Sequence, residues 1–193
     1  MEIVGLDLAG SPNRMTGFCS FNGDSIKTKI LHTDDEIISE TLKLKPQVIA
    51  IDAPLFLPKG RKSIEERNNV HLRECDKELV KLGIKFFPIT LGPMRKLTTR
   101  GISLKKIFGN SGMEAIETYP GAAQDILGIP RKQKGLDKLS KGLENLGLRF
   151  DSNLTHDELD AVTCAYVGKL YLQNNYLALG DKKEGLMVLP LHP

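Results

Sequence analysis

The four residues Phe21-Asn22-Gly23-Asp24 constrain this chain more than any other short stretch. Asn-Gly between apolar runs is among the strongest short-range hairpin signals, because both residues tolerate the positive φ of a tight type I′ turn. The flanking runs, residues 16–21 and 25–32, are therefore read as antiparallel strands. The run before them, residues 2–8 (EIVGLDL), is closed by Ala9, Gly10, Ser11 and Pro12 and reads as a central strand ending in a turn. Together the three predict an antiparallel meander.

Asp34 to Lys45 predicts a helix, with Ile37, Ile38, Leu42 and Leu44 on its apolar side and Pro46 as its stop. Gln47 to Asp52 is a fourth apolar run, ended by Ala53-Pro54. Strand, helix and strand in this order imply a right-handed crossover into a parallel neighbour. Ser63-x-x-Glu66 reads as a capping box opening a long helix that runs to about Leu82 and ends at Gly83. Lys85 to Leu91 reads as a short strand, and Gly92-Pro93 opens another helix. Residues 113–119 (MEAIETY) read as a strand, with Pro120 in the first turn of the next helix. Thr155-His156-Asp157-Glu158 is a second capping box, heading a helix to about Tyr171. Residues 185–191 (GLMVLPL) read as a last edge strand, since Pro190 cannot donate to a ladder. The expectation is one α/β domain over residues 1–193. Its mixed five-stranded sheet has strands one to three as a meander and strands four and five parallel. Helices flank it, with helical insertions near 61–110 and 131–150.

Composition narrows the class without choosing a function. A chain of 193 residues suits one domain, and a net charge of +3 does not by itself argue for nucleic acid. The charge is unevenly placed. Arg95, Lys96, Arg100, Lys105 and Lys106 lie in a stretch with no acid, and Arg131, Lys132, Lys134, Lys138 and Lys141 face only Asp137. Each stretch reads either as a solvated face or as a phosphate-holding surface. Cys19, Cys75 and Cys164 are odd in number and far apart, with no CxxC, so neither a disulfide framework nor a structural zinc site is indicated. With no signal-like or membrane-spanning run, the expected compartment is the cytoplasm.

Four acids stand where packing alone would prefer something else. Asp7 ends the first apolar run, Asp52 the fourth, Glu117 lies near the end of a later one, and Asp160 heads a helix stripe continued by Cys164, Val167 and Tyr171. If strands one and four are parallel neighbours, Asp7 and Asp52 lie about 4.8 Å apart. Two carboxylates that close repel and desolvate one another, and a divalent cation removes that cost. Mg²⁺ suits such a place, because it takes oxygen ligands and only one or two protein carboxylates. The plainer alternative is that each Asp caps a turn. Asp157 and Asp160 share a helix face, and an acid heading a core-facing stripe needs a partner, either a metal or a basic side chain. Asp157 and Glu158 also complement the helix dipole. His156 is an exposed polar residue or a proton carrier.

These residues resemble a known superfamily. The βββαβ start with Asp at the ends of strands one and four, followed by a late helix carrying HDxxDA, resembles the ribonuclease H-like superfamily. The helix His156-Asp157-Glu158-Leu159-Asp160-Ala161 looks like the C-terminal helix of the RuvC branch of Holliday-junction resolvases. GLDLAGS (5–11), IDAPL (51–55), Arg73-Glu74-Cys75-Asp76, Glu117-Thr118-Tyr119-Pro120 and the HDELDA helix together resemble the DUF429 family, labelled a predicted nuclease of this fold. RuvC-type enzymes generally carry Glu on the fourth strand, where this chain has Asp52.

The resemblance implies a metal-dependent nuclease that hydrolyses phosphodiester bonds of DNA or RNA with two Mg²⁺ or Mn²⁺ ions. Asp7, Asp52, Asp157 and Asp160 would be the ligands and Glu117 a further catalytic acid. His156, Arg73, Asp76, Arg95, Lys96 and Arg100 would act around the ions or against substrate. Two other classes stay open. One is nucleotide-dependent phosphoryl transfer, for which GLDLAGS is a faint echo of a phosphate loop but no G-x-x-x-x-G-K-[ST] occurs. The other is a non-catalytic nucleic-acid-binding module of the same fold. With no tryptophan and few aromatics, no base-stacking platform is evident in the sequence.

Overall fold

A computed structural model describes residues 1–23 and 25–191. Its centre is one mixed sheet in the order β3-β2-β1-β4-β5-β7-β6. The meander comprises β1 (Ile3–Asp7), β2 (Thr16–Phe21) and β3 (Ile26–Leu31), all antiparallel. At the hairpin the Asn22 side chain accepts from the Ser25 amide at 2.9 Å and Gly23 takes a φ of 101°. Asp24 lies outside the described residues. Helix α1 (Asp34–Leu44) starts on a capping box between Thr33 and Glu36 and leads into β4 (Val48–Asp52), parallel to β1. The expected crossover is present.

The remaining elements are α2 (Glu74–Lys81), α3 (Gly92–Asn110), β5 (Ala115–Thr118), α4 (Pro120–Ile126), a 3₁₀ turn at Lys132–Lys134, α5 (Leu136–Asn145), α6 (His156–Leu172), β6 (Tyr176–Asp181) and β7 (Gly185–Pro190). Strand β5 is parallel to β4, as expected. Helix α6 lies across β1, β2 and β4 and is buried over most of its length. Its close approach depends on two glycines. A Cβ on Gly5 would stand 2.1 Å from the Ala161 carbonyl oxygen, and one on Gly17 would stand 2.0 Å from that of Asp157. The first glycine of GLDLAGS is thus a mid-strand packing residue, which removes one support from its likeness to a phosphate loop.

Three expectations need correction. The long helix from Ser63 does not form. Residues 61–73 wrap instead around Arg61, whose buried guanidinium donates to the carbonyls of Ser63, Ile64, Glu66 and Val70 and to Asn68. Glu66 accepts from the Lys62 amide, so its carboxylate serves a turn rather than a helix start. Residues 85–91 are not a strand. The strand at 185–190 is not an edge, because β7 runs parallel to β5 on one side and antiparallel to β6 on the other. The hairpin β6–β7 extends the expected five strands to seven. Among the described residues all three cysteines are free and buried, and no helix is long and apolar enough to cross a membrane.

Candidate active site

In a parallel pair, residues in register point to the same face of the sheet. Leu6 of β1 pairs with Ile51 of β4, so the next residues, Asp7 and Asp52, stand side by side at the C-terminal edge. Both point to the face covered by α6, as Gly5 does. The first turns of α6 pass directly above them and carry Asp157 and Asp160. Here α6 begins on its predicted capping box: the Thr155 hydroxyl accepts from the Glu158 amide at 3.3 Å and the Glu158 carboxylate accepts from the Thr155 amide at 3.0 Å. The Thr28 hydroxyl also donates to Glu158 at 2.8 Å, tying the start of α6 to β3.

The result is a concentration of negative charge in a confined space. Burial pushes the Asp7 carboxyl well above the usual range, and the charges of Asp52, Asp160 and Asp157 push it further. Burial and Asp160 raise Asp52 to about 8, even though a hydrogen bond with Asp7 acts the other way. Each side chain keeps an accessible edge at the mouth of the cleft. Asp160 is 5 % exposed and fully engaged. The Gln124 amide donates to its Oδ1 at 2.8 Å, and the Lys132 ammonium donates to its Oδ2 at 2.7 Å. Burial opposes the charge on Lys132, but Asp160, Asp7 and Asp157 together hold its pKa above the ordinary value. Asp157 lies at the rim, 2.8 Å from Nδ1 of the exposed His156.

Glu117 is in a different place. Its register partner on β4 is Ile51, one residue before Asp52, so it points to the opposite face of the sheet. There Arg73 donates to it at 2.8 Å and the Leu55 amide donates at 2.7 Å. Burial raises the Glu117 carboxyl and the Arg73 charge partly offsets this. Arg73 also holds Asp76 with two donors, at 2.8 and 3.1 Å, and lies over the Phe56 ring. The sequence motif Arg73-Glu74-Cys75-Asp76 is therefore a buried ion-pair network that anchors the start of α2 and the loop leaving Asp52.

The basic candidates divide in the same way. Arg100 is 7 % exposed and spends its guanidinium on Asp34 and the carbonyls of Ala9 and His32. It fixes the loop after β1, with one hydrogen bond committed from each guanidinium nitrogen. Arg95 pairs with Glu65, whereas Lys96 is exposed beside Ser11 and Thr99. Sequence reasoning did not single out Lys132 from its basic stretch and did not find Gln124. Neither carried a signal, since both reach Asp160 only through the packing of α4 and the 3₁₀ turn against α6.

The donor set suits a hard divalent cation: carboxylate oxygens and no thiolate. Among the described residues no three or more of His, Cys, Asp and Glu close around one point. Mg²⁺ does not require that, because it is commonly held by one or two carboxylates with water and substrate phosphate. The adjacent pair Asp7 and Asp52 meets that condition.

No protein-family model matches the chain, and no curated protein does. Among solved structures it is similar to Thermus thermophilus RuvC in complex with Holliday junction substrate, at 12 % identity and a TM-score of 0.51 over 99 % of each chain. A second structure of T. thermophilus RuvC matches at 12 % identity and a TM-score of 0.47, covering 99 % of this chain and 100 % of that one. At such identity the first likeness is one of fold. The antiparallel meander, the parallel β4 and β5, and the helices around them make this a ribonuclease H-like fold.

Proposed function

We propose that the chain is a divalent-metal-dependent nuclease acting on phosphodiester bonds, with Asp7, Asp52, Asp157 and Asp160 as its acidic centre. The observation that carries this reading is the side-by-side placement of Asp7 and Asp52 beneath Asp160, where burial and neighbouring carboxylates raise both. A divalent ion bound there would supply Lewis-acid stabilisation of the charge that develops on phosphoryl oxygens and would acidify water.

The chain's own groups divide the remaining work. Gln124 fixes the Asp160 carboxylate, and Lys132 offers a positive charge at the cleft that a phosphate can meet. His156, exposed with its Nδ1 2.8 Å from Asp157, is placed to exchange a proton with solvent or leaving group. Glu117 acts through Arg73 and the Leu55 amide as a positioning residue for the loop behind Asp52, not as a ligand. Asp160 is paired with Lys132, so a second ion held by Asp160, as the resemblance implies, would compete with that ammonium. The neighbouring RuvC structure contains a Holliday junction, so a junction belongs in the substrate panel with duplex, flap and single-stranded DNA and RNA.

The test is calorimetry with Mn²⁺ and Mg²⁺ on wild type and Asp7→Asn, followed by the substrate panel. Binding and cleavage are expected in wild type and lost in the variant, which folds normally. Retained cleavage in Asp7→Asn would remove Asp7 from the chemistry.

A further inference from the structure

Asp160 is met by donors on both of its oxygens, and both donors come from α4 and the 3₁₀ turn that follows it. Gln124 reaches Oδ1 at 2.8 Å and Lys132 reaches Oδ2 at 2.7 Å. The Gln124 side chain is fixed in that sense. Its amide nitrogen also donates to the Thr163 hydroxyl at 3.1 Å, and that hydroxyl donates its own hydrogen to the Leu159 carbonyl at 3.0 Å, so the Thr163 oxygen must accept. Asp160 is therefore presented with N–H groups and not with an amide oxygen that could help to hold a metal. Asp7 and Asp52 differ, being hydrogen-bonded to each other.

Lys132 is brought to this place by its backbone. Arg131, just before it, grips Asp125 of α4 through Nε at 2.8 Å and lies 5.7 Å from the Tyr119 ring centroid. The turn then closes with the Lys134 amide on the Arg131 carbonyl at 2.8 Å and the Gly135 amide on the Lys132 carbonyl at 3.1 Å. The Lys132 side chain is only 35 % exposed, although a lysine normally keeps its ammonium in water. From there its charge acts on Asp160, Asp7 and Asp157 together. Those are the acids that a second ion would need.

We propose that Lys132 takes the place of a second metal ion: the cleft holds one divalent ion, at Asp7 and Asp52, and the ammonium supplies the positive charge at Asp160. This rests on the nuclease reading and departs from the two ions that the resemblance implies. An ion on the same Asp160 oxygen would stand at contact distance from a like charge, and Mg²⁺ gives up its water reluctantly. The ammonium has further donors beyond the one given to Asp160, so it can also meet a phosphoryl oxygen of the strand.

The experiment counts Mn²⁺ on the full chain by calorimetry and reads the ions by electron paramagnetic resonance. It is run with Mn²⁺ alone and again beside a nucleoside monophosphate, whose phosphate supplies the oxygens of a substrate, with the nucleotide's own Mn²⁺ uptake subtracted. Paired ions lie about 3.5–4 Å apart and broaden one another's spectrum, whereas a single ion keeps its resolved hyperfine lines. Wild type should bind one uncoupled ion per chain under both conditions. Lys132→Met removes the ammonium and should bind two, with a coupled spectrum beside the nucleotide. It also leaves Asp160 without its cation, so its metal-free Tm should fall and Mn²⁺ should raise it by more than it raises that of wild type. If Lys132→Met does not fold, Lys132→Gln, neutral but still able to donate to Asp160, takes its place.

A second, coupled ion on wild type under either condition would overturn the proposal. If that wild type cleaves and Asp7→Asn does not, the nuclease reading survives the failure. A neutral variant that gains no second ion would overturn it too, because the lysine would then not be what excludes one. No ion on wild type under either condition would remove this assignment and the metal reading of the cleft together.

Discussion

Asp52 and Glu117 show how much one residue of register decides. They sit at the same sheet edge on neighbouring parallel strands, yet β4 aligns Asp52 with Thr118 and Ile51 with Glu117, so the two acids leave the sheet on opposite faces. One joins the carboxylate centre and the other joins Arg73. The second location makes a sharp prediction about stability. Arg73 and Glu117 are 3 % and 2 % exposed, with Asp76 equally buried, so Arg73→Met leaves two buried carboxylates without their cation. Removing one partner of such a network costs about 3–5 kcal/mol. Urea unfolding should show that loss, and Glu117→Gln in the same background should recover part of it by neutralising one orphaned charge. A Met variant as stable as wild type would mean that the network contributes nothing to folding.

At the scale of elements, the acidic centre depends on how closely α6 can approach the sheet, and that distance is set by glycines. Gly17→Ala would place a methyl group 2.0 Å from the Asp157 carbonyl oxygen, which the first turn of α6 can accommodate only by moving away. Such overpacking costs about 1–3 kcal/mol, and Mn²⁺ affinity should fall with it because Asp157 and Asp160 ride on that turn. Gly109→Ala is the matched control. It lies inside α3 with open space around it, and should stabilise the protein by about 0.4–1 kcal/mol without touching metal binding. Loss of affinity in both variants would point to a global effect rather than to the approach of α6.

Elements whose local chemistry agreed with their packing were legible in the sequence. The strand-ending Asp7 and Asp52 and the Thr155 capping box form as their residues suggest; the Asn-Gly hairpin also forms, but Phe21 pairs with Ile26 across a four-residue loop and Asn22 does not take the positive φ of the expected type I′ turn. The Ser63 capping box failed because a single buried arginine, Arg61, offered the same backbone carbonyls a better partner than a helix would. The β6–β7 hairpin was half missed because the run Tyr176–Asp181 is largely accessible and its turn, Lys182-Lys183-Glu184, reads as an ordinary polar loop. Its anchor is non-local: the Glu184 carboxylate accepts from the amides of Lys59 and Glu74. The partners of Asp160 are likewise products of tertiary packing, which no spacing rule announces.

For the molecule as a whole, the acidic centre couples folding to pH and to metal. In the metal-free protein Asp7 and Asp52 retain protons that the unfolded chain releases near the ordinary value of 3.8. The native state therefore binds more protons than the unfolded state from there up to about 8, the level to which Asp52 is raised. Stability falls with pH wherever the native state holds the extra protons, so this centre weakens the fold as pH rises through that interval. Glu36, Glu40, Glu66 and Glu158 act in the opposite sense, because hydrogen bonds hold them low, but their window lies below 4.5. A divalent ion takes over the role of the protons, and its binding adds RT ln(1 + [M]/Kd) to stability. Since it competes with those protons, it binds more tightly at high pH. The metal-free Tm should therefore drop between about pH 5 and pH 8, and Mn²⁺ should restore more of it at the higher pH. For a chain of this size each kcal/mol corresponds to about 2–4 °C. Asp7→Asn should make the metal-free profile shallower without flattening it, because it removes one of the two raised carboxyls while burial and Asp160 still hold Asp52 up, and it should abolish the Mn²⁺ effect because it removes a ligand. A metal-free Tm that rises over the same interval would show that Asp7 and Asp52 are ionised without a cation, and the electrostatic case for a metal in this cleft would then be lost.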